Sequence, residues 1–576
     1  MLRKKAVLLS IVVISSALSV GWLTQTAGDN DYYYEVKRGI RLFGDIYKNI
    51  TEKYVDEVSP REFIRSGIDG LLGALDPYTM YYEGPESGDL DALMMGKYGG
   101  VGISVGIKDG FITVITTMDG SPAQRAGILP GDHIVAVDEL TRKEITLQQM
   151  SNFVKGEPGT KVKLVIEREG QDHQLEFELI REMIAVENIS FAGMVDPTVG
   201  YIKLTKFSKT ANFDFHKALK DLKQSGMQAL ILDLRGNPGG LLDVAIDITN
   251  EFVKKGQLIT YTKGRMPDAN RYYNAANEPM LPDIPLLVLV DEGSASASEI
   301  VAGALQDLDR AVLVGSTTFG KGLVQTLYPL QEKEAVLKIT TAKYFTPSGR
   351  CIQKENYTEK RLRAQSAGAG EYRGPFETFG EDDASYPSED TLKSNRRQLF
   401  KTTSGRSVFS DGGINPDVEI SAEEYPIFVR ELLRKGLVFD YATYFVSRHP
   451  TIDSAFTVTD EQIDDFKDYL SSKNFSYQSR AEQQMSNISE LAHRLNYDAA
   501  VRTKIENLKV DLRSQSAKEF ENSRPIIRAF LEQEIISRYF GNRARIIAGF
   551  RHDLAYKEAR TLLVNRQRYE NILAGK

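Results

Sequence analysis

The stretch ALILDLRGNPGGLLDVAIDITNEFV, residues 229–253, decides the fold of this chain. An apolar strand over 229–234 enters the glycine-rich turn Leu234–Gly240, and a helix is predicted over 241–253. The surrounding sequence repeats this alternation, with strands at 200–207 and 286–290 and a helix at 212–224. Strands that alternate with helices indicate βαβ crossovers in an α/β sheet. The turn joins a buried strand to a helix, where unpaired backbone amides could hold an anion.

Composition limits the class of protein. The chain has 576 residues, 41% apolar and 26% charged, which is typical of a globular protein and too long for a single core. Its 72 basic and 79 acidic residues leave a net charge of −7, without the clustered basic charge of a nucleic-acid-binding surface. Cys351 is the single cysteine, so an intrachain disulfide is excluded. We therefore expect a multidomain protein stabilised by packing.

The first 30 residues predict a targeting segment. Arg3, Lys4 and Lys5 precede a continuous apolar stretch over 6–23. This pattern is typical of an export signal or of a single membrane anchor with its basic end inside, and the length leaves both alternatives open. Small residues would permit cleavage after Gly21. Either way, we expect an exported, periplasmic protein, held at the inner membrane if the segment is not cleaved.

Residues 31–93 are predicted to form a small helical region, because their apolar residues recur at helical spacing. Residues 94–184 have a period of two instead, in short runs separated by glycine turns. Their order includes a glycine loop, two strands, a short helix capped by Ser121 and Gly127, and a longer helix over 147–154. This order resembles a PDZ domain.

The PDZ resemblance implies a binding site for the end of a peptide. The loop Gly100-Val101-Gly102 would present backbone amides to a terminal carboxylate, and the peptide would add as a strand beside 103–107. Ile103 and Val105 would line an apolar pocket next to the helix over 147–154. A plain hairpin entry is the alternative for the loop, since glycine there could simply satisfy a positive φ.

Ser296 is the candidate nucleophile. It lies in the run Gly293–Glu299, and Ser296-x-x-Glu299 also matches a capping box at the start of a helix over 297–306. An N-cap role alone would explain this serine. A nucleophile at the same position would project its hydroxyl at the helix start, where the Ala297 amide is available to an oxyanion. Ser294 and Ser298 are the neighbouring alternatives.

Lys321 is the candidate base, since none of the six histidines lies in either segment. A lysine acts as a general base only when it is uncharged, which burial among apolar residues favours. Gln325 would share the face of Lys321 if this segment turned helically, and its amide could then orient the lysine nitrogen. Serine–lysine pairing is a known variant of the catalytic triad and needs no metal or cofactor.

Residues 315–321 also resemble most of a phosphate-binding loop. That motif requires Ser or Thr after the lysine and then a long helix, whereas Gly322 follows here and the next residues are predicted to be extended. A nucleotide-binding function is therefore disfavoured.

Several motifs together resemble the carboxyl-terminal processing, or tail-specific, proteases, which are serine peptidases of the S41 class. The similarity extends from the helical region through the PDZ segment to about Ile420, and its strongest motifs cover 232–240, 293–299, 302–305 and 318–325. Residues 344–350 and 412–417 also resemble that family.

The resemblance implies an α/β multidomain protein with a crotonase-like α/β protease core over 185–424. Ser296 would be the nucleophile, Lys321 the general base and Gln325 the residue that orients the lysine. The oxyanion hole would combine the Ala297 amide with that of Gly239 or Gly240. Substrates would be proteins with free, unstructured C-termini, which the PDZ domain would engage.

Two regions depart from this shared core. Residues of about 354–400 are polar and predict an inserted surface loop. Residues 425–576 are predicted to form a helical domain. It would be either a stabilising cap over the core or a surface for self-association or adaptor docking.

The main alternative to a serine endopeptidase is an inactive PDZ scaffold that binds protein C-termini. The presence of Ser296, Lys321 and Gln325 together disfavours it, because an inactive relative should have lost at least one of them.

Overall fold

A computed structural model describes residues 32–576 except for 85–86, 89, 91–93, 142–145, 332–334, 355–356, 358–397, 411, 422–424 and 454. The predicted targeting segment and most of the predicted insertion lie outside the described residues. Within them, no helix is both long and apolar enough to cross a membrane. The chain divides into two compact units, one containing residues up to Tyr81 and the other most of the remainder.

The first unit contains two helices, α1 over 32–53 and α2 over Pro60–Gly73. The Tyr47 hydroxyl donates to the Pro60 carbonyl oxygen at 3.1 Å, and the Tyr47 ring stacks on Phe63 with centroids 5.9 Å apart. Pro60 occupies the first position of α2, where its missing N–H has no cost. The predicted helical region is confirmed.

The second unit begins with the segment predicted to be a PDZ domain. Strand β1, over Met80–Glu83, precedes it. Its elements are β2 Lys97–Gly100, β3 Ile103–Lys108, β4 Phe111–Thr117, α3 Pro122–Ala126, β5 His133–Val137, β6 Leu140–Thr141, α4 Leu147–Val154, β7 Lys161–Glu167, β8 Leu175–Ile180 and β9 Glu182–Ala185. The sheet order is β3-β4-β5-β7-β8, and β2 pairs separately with β9. Strand β3 is therefore an edge strand, and α4 contacts it.

The predicted protease core contains a mostly parallel sheet with three crossover helices. Its elements are β10 Ile189–Met194, β11 Val199–Leu204, α5 Ala211–Gln224, β12 Ala229–Asp233, α6 Leu242–Asn250, β15 Leu286–Val290, α7 Ala297–Asp307, β16 Val312–Gly315 and β21 Val418–Glu419. The sheet order is β10-β11-β12-β15-β16-β21, and every pair except β10–β11 is parallel. The βαβ prediction is confirmed.

A second, antiparallel sheet completes the core. Its strands are β13 Leu258–Gly264, β14 Arg271–Asn274, β17 Leu323–Pro329 and β18 Ala335–Phe345. Strand β18 pairs with β13 and β17, and β13 pairs with β14. Farther along the chain, β19 Leu399–Lys401 and β20 Ser407–Phe409 form a short hairpin.

The remaining elements are the helices α8 Ile427–Arg434, α9 Leu437–Arg448, α10 Asp460–Ser472, α11 Arg480–Arg494, α12 Ala499–Gly549, α13 Leu554–Val564 and α14 Arg566–Leu573. Gly541 interrupts α12 with φ 77° and ψ −177°, so two helices meet there at a kink. Helices α8 to α10 and the middle of α12 share a separate core, which includes Tyr441, Phe466 and Leu531. This core makes residues 428–535 a helical domain in its own right.

The last two helices pack against the predicted protease core. Successive residues of the parallel sheet alternate between two apolar clusters, as Leu230 and Leu232 do on one face and Ile231 on the other. Helices α5, α6 and α7 cover the first face, and the buried side chains of α13 and α14 cover the second. Residues 554–573 therefore form the third layer of an α/β/α core.

The PDZ segment and the helical domain are joined by an ion pair. The Lys108 Nζ lies 2.6 Å from the Asp440 Oδ2 and 3.3 Å from the Lys435 carbonyl oxygen. Both side chains are largely buried. Burial raises the pKa of Asp440 despite this pair, so desolvation offsets part of the attraction between the two charges.

Leu562→Ala tests the role of α13 as a core layer. Leu562 is fully buried in the cluster on the second face of the sheet, so we expect the substitution to lower the free energy of unfolding by about 2–5 kcal/mol. Val564→Ala is the control, because Val564 on the same helix is exposed and its loss should cost no more than about 0.5 kcal/mol. Denaturant unfolding followed by circular dichroism measures both, and equal midpoints would show that α13 is not part of the core.

Candidate active site

Ser296 has a strained backbone at the start of α7. Its φ of 56° and ψ of −111° lie in a region that non-glycine residues rarely occupy. Ser121 and Thr146, the N-caps of α3 and α4, have the ordinary extended conformation instead. Helix capping does not require strain of this kind. The backbone of Ser296 is therefore held by more than a capping role.

The turn after β12 lies directly against this strained residue. A methyl group added at Gly239 would lie 2.9 Å from both the Ser296 Cβ and the Ala297 nitrogen. Gly239 also has a φ of 98°, which disfavours any side chain. The structure thus brings together the two segments that the sequence predicted to share a site.

The two glycines left open as oxyanion donors differ in their hydrogen bonds. The Gly239 amide donates to the Asn237 Oδ1 at 2.9 Å. The Gly240 amide makes no hydrogen bond within the described part of the chain. The Ala297 amide is the first of α7 and has no acceptor inside the helix. Gly240 and Ala297 therefore retain available donors, whereas Gly239 orders the turn.

Glu299 holds the serine and lysine segments together. Its Oε2 accepts hydrogen bonds from the Ser296 amide at 2.8 Å and from the Lys321 amide at 2.9 Å. Its Oε1 accepts from the Gly320 amide at 2.8 Å and from the Thr318 hydroxyl at 2.6 Å. The backbones of Ser296 and Lys321 are therefore held close together, because both amides donate to the same oxygen atom.

Burial raises the pKa of Glu299 to about 7, although its four hydrogen-bond donors act in the opposite direction. The carboxylate is fully buried, and no basic side chain is among those four donors. The protonation of this group is therefore poised near neutral pH.

Tyr344 forms a second connection between the same two residues. Its buried hydroxyl on β18 lies 2.5 Å from the Lys321 carbonyl oxygen and 3.2 Å from the Ser296 carbonyl oxygen. Ser296 and Lys321 are thus tied through their amides and through their carbonyl groups. The sequence motif at 344–350 contained this tyrosine, but nothing in the motif indicated its partners.

Lys321 is half-buried in the segment just before β17, and Gln325 lies within that strand. The helical geometry considered for Gln325 is therefore absent, because residues 323–329 pair with β18 instead. A bulge between Val324 and Gln325 shifts the register, and the Gln325 side-chain amide donates to the Thr340 hydroxyl at 3.3 Å. The extended conformation expected after Gly322 is confirmed, which also removes the helix that a phosphate-binding loop requires.

The neighbouring serines have structural partners. The Ser294 hydroxyl donates to the Leu234 carbonyl oxygen and the Ser298 hydroxyl to that of Asn237, each at 2.9 Å. Both side chains are fully buried. These two serines hold the turn after β12 in place and are poor candidates for a nucleophile.

The predicted peptide-binding loop is packed more tightly than its sequence indicates. The Val101 amide donates to the Val154 carbonyl oxygen at 3.0 Å, at the end of α4. Gly102, with φ 76°, has no space for a side chain beside Ser121, and Gly100 faces the Val154 carbonyl oxygen. The Gly102 amide makes no hydrogen bond to any described residue. Ile103 is buried and Val105 half-buried on the edge strand β3, next to α4.

Within the described residues, no cluster of histidine, cysteine, aspartate or glutamate could hold a metal ion.

Comparison with known proteins places this geometry in a family. The model of peptidase family S41 matches residues 198–360, a PDZ domain model matches 113–168, and a model of the C-terminal helical domain of a probable PDZ-protease matches 428–563. The carboxy-terminal-processing protease of Bartonella bacilliformis is 36% identical over 387 residues, which cover 66% of this chain and 87% of that protein. The chain belongs to peptidase family S41.

This S41 peptidase is similar to further processing proteases. The carboxyl-terminal-processing protease of Synechocystis is 38% identical over 314 residues, covering 53% of this chain and 72% of that protein. Among solved structures, the photosystem II D1 C-terminal processing protease is 24% identical and covers 67% of this chain and 89% of that chain, with a TM-score of 0.34. The chain is therefore a serine-type endopeptidase that combines a helical N-terminal region, a PDZ domain, the S41 core and a helical C-terminal domain.

Glu299→Gln tests the shared carboxylate. We expect kcat/KM of the unmodified protein to rise as the pH passes through about 7, because only the ionised carboxylate accepts all four hydrogen bonds. The side-chain NH2 of glutamine would face the N–H and O–H donors that now bind the carboxylate. We therefore expect kcat to fall at least about tenfold and the inflection near pH 7 to disappear.

The stability of the folded protein should fall with rising pH, whereas its activity should rise. The folded pKa of Glu299 lies above the ordinary carboxyl value, so the protonated group favours folding, and this contribution is lost as the pH rises through about 7. Glu299→Gln should therefore flatten the decline of melting temperature with pH. Glu292→Gln is the control for both measurements. Glu292 belongs to the same segment, and its carboxylate accepts a hydrogen bond from the Ser316 hydroxyl. An inflection that persists in Glu299→Gln would contradict this assignment.

Proposed function

We propose that this S41 peptidase uses a Ser296–Lys321 dyad to cleave exported proteins near their C-termini. The observation that supports it most directly is the single Glu299 oxygen that binds the amides of both residues beside the glycine turn. Two segments held this tightly at a strained serine are typical of a preorganised nucleophile and base.

The proposed chemistry begins with an uncharged Lys321. Its amine removes the proton from the Ser296 hydroxyl while the serine oxygen attacks the scissile carbonyl carbon. The Ala297 and Gly240 amides bind the resulting oxyanion. The amine then gives its proton to the leaving amino group, and an acyl-enzyme on Ser296 remains. Lys321 next activates a water molecule, which hydrolyses the ester and regenerates the hydroxyl.

Partial burial supports an uncharged amine on Lys321. Lys321 is half-buried, and Leu323, two residues later, is buried, so part of the surroundings is apolar. Desolvation disfavours the charged form of an amine. Gln325 lies in β17 opposite Thr340 of β18, and it is proposed to orient the lysine amine from there.

The PDZ domain is proposed to bind the substrate tail. Strand β3 has a free edge beside α4, and an added peptide strand would place its side chains near Ile103 and Val105. The Gly102 amide is an available donor for a terminal carboxylate. Export is proposed from the apolar segment over 6–23 alone. Dependence on an adaptor or on self-association also remains a prediction.

An inactive scaffold is the weaker alternative. Binding of protein tails requires neither a strained serine nor a carboxylate that joins it to a lysine. The strain at Ser296 therefore favours catalysis.

Ser296→Ala and Lys321→Ala test the dyad. Each should lower cleavage of an unstructured protein with a free C-terminus by at least about a thousandfold, because the nucleophile or its base is lost. Ser294→Ala should retain most activity and should still react with a fluorophosphonate probe. Cleavage is measured by mass spectrometry of the products. Turnover at the unmodified rate by Ser296→Ala would exclude this mechanism.

An amidated substrate tests the PDZ assignment. Binding of a free tail depends on a carboxylate at the glycine loop, so C-terminal amidation should weaken binding about tenfold or more. Isothermal titration calorimetry with Ser296→Ala protein measures the affinity without cleavage. The control is the same peptide with an amidated side-chain carboxylate and a free C-terminus, and equal affinities for both peptides would contradict tail recognition.

A further inference from the structure

Arg235 joins the catalytic turn to the far C-terminal region of the chain. Its Nη1 donates to the Asp553 Oδ1 at 2.9 Å, and its Nη2 donates to the Asp553 Oδ2 at 2.6 Å. This is a bidentate ion pair, the most directional kind of contact between charged side chains. Asp553 lies immediately before α13, outside the residues in which the sequence indicated chemistry.

The other partner of Arg235 is Asp233, at the end of β12. The Arg235 Nε and Nη2 each lie 2.9 Å from an oxygen of Asp233, and the Lys203 Nζ also lies 2.9 Å from that carboxylate. Burial would raise the pKa of Asp233, but Arg235 and Lys203 overcome it and hold the pKa well below its usual range. The Asp233 carboxylate therefore stays ionised, and it contacts two cations, Arg235 and Lys203.

Charge balance assigns a role to Asp553. Two cations, Arg235 and Lys203, surround the one carboxylate of Asp233, so a second carboxylate is needed to neutralise the cluster. The C-terminal region supplies it. A guanidinium whose partner has been removed reorients toward water or toward the remaining carboxylate.

Arg235 lies near the start of the turn that carries the proposed oxyanion donor. The rest of that turn is fixed by the core, since the Gly236 amide donates to the Asp291 Oδ1 and the Asn237 side-chain amide to the Leu204 carbonyl oxygen, both at 2.8 Å. Among the described residues, Arg235 is the residue of this turn whose side chain hydrogen-bonds to the C-terminal region. A small displacement of an oxyanion donor lowers the rate strongly, because catalysis depends on its position.

We propose that Asp553 is a positioning residue for catalysis, which acts through Arg235 on the turn that contains Gly240. This inference rests on the proposed function, because it assumes that the turn binds the oxyanion. It gives the C-terminal helices a role in the reaction itself, in addition to covering the sheet.

Asp553→Asn is the variant of choice, because Asp553 is also the N-cap of α13. The Tyr556 amide donates to its Oδ1 at 2.9 Å, and asparagine can keep that hydrogen bond while losing the charge. Asp196→Asn is a matched control. Asp196 pairs with Arg560 of the same helix at 2.9 Å and accepts from the Thr198 amide at 2.9 Å, but it does not contact the turn.

The two variants are compared by kcat, KM and melting temperature on an unstructured protein substrate. We expect Asp553→Asn to lower kcat about tenfold or more, since loss of a whole oxyanion donor costs about 100- to 1000-fold. KM should change less than about twofold, and the melting temperature should fall no more than in Asp196→Asn, which should keep its kcat. Asp553→Glu, which retains a carboxylate, should recover part of the lost kcat.

Three results would overturn the proposal. They are an unchanged kcat in Asp553→Asn, an equal loss of kcat in Asp196→Asn, and a loss of kcat accompanied by a much larger fall in melting temperature than in the control. Ser296→Ala, assayed in the same experiment, distinguishes failure of this inference from failure of the proposed function on which it rests. If Ser296→Ala is inactive while Asp553→Asn is fully active, only the role of Asp553 fails, whereas an active Ser296→Ala would remove the proposed function.

Discussion

A parallel sheet must be buried on both faces, and the crossovers of this sheet cover only one of them. Strands β11, β12, β15 and β16 follow one another in sequence order, so right-handed crossovers place α5, α6 and α7 on the same side. The opposite face, with Ile231, Leu287 and Leu289, would otherwise be exposed. The last two helices of the chain cover it. The protease core is therefore complete only when the C-terminal end of the chain is in place.

This arrangement explains why the candidate active site contacts residues that are distant in the sequence. The carboxyl ends of β12 and β15 lie side by side, and each is followed by a segment that carries candidate site residues, Gly239 and Gly240 after β12 and Ser296, Ala297 and Glu299 after β15. Burial of the sheet places α13 against the same strands, which brings Asp553 to Arg235. Packing of apolar side chains thus positions a charged contact.

Much of the fold and part of the site could be predicted from sequence. Strand and helix alternation predicted the core, and the turn at 234–240 was correctly expected to lie beside Ser296. These signals are local, because each depends on periodicity or on turn residues. Glu299 had a local signal as well, but the capping box accounts for only one of its four hydrogen bonds. The other three come from residues 318, 320 and 321, and no local pattern specifies such a contact.

The conformation around Gln325 shows the same limit. A spacing of four residues suggests a shared helical face, but strand pairing with β18 determines the conformation of this segment. Tertiary pairing overrides a local periodicity over so short a stretch. Asp553 had no signal in the sequence, because an aspartate before a helix is indistinguishable from an ordinary cap.

The order Asn237-Pro238 has a consequence for the chemical durability of the enzyme. The Asn237 side chain bonds to the Leu204 carbonyl oxygen and to the Gly239 amide, so its conversion to aspartate would place an acid among groups arranged for an amide. Spontaneous deamidation of asparagine proceeds by attack of the following backbone nitrogen on the side chain, and proline has no N–H with which to close that ring. Pro238 thereby protects Asn237, whose side chain orders the turn, from slow deamidation.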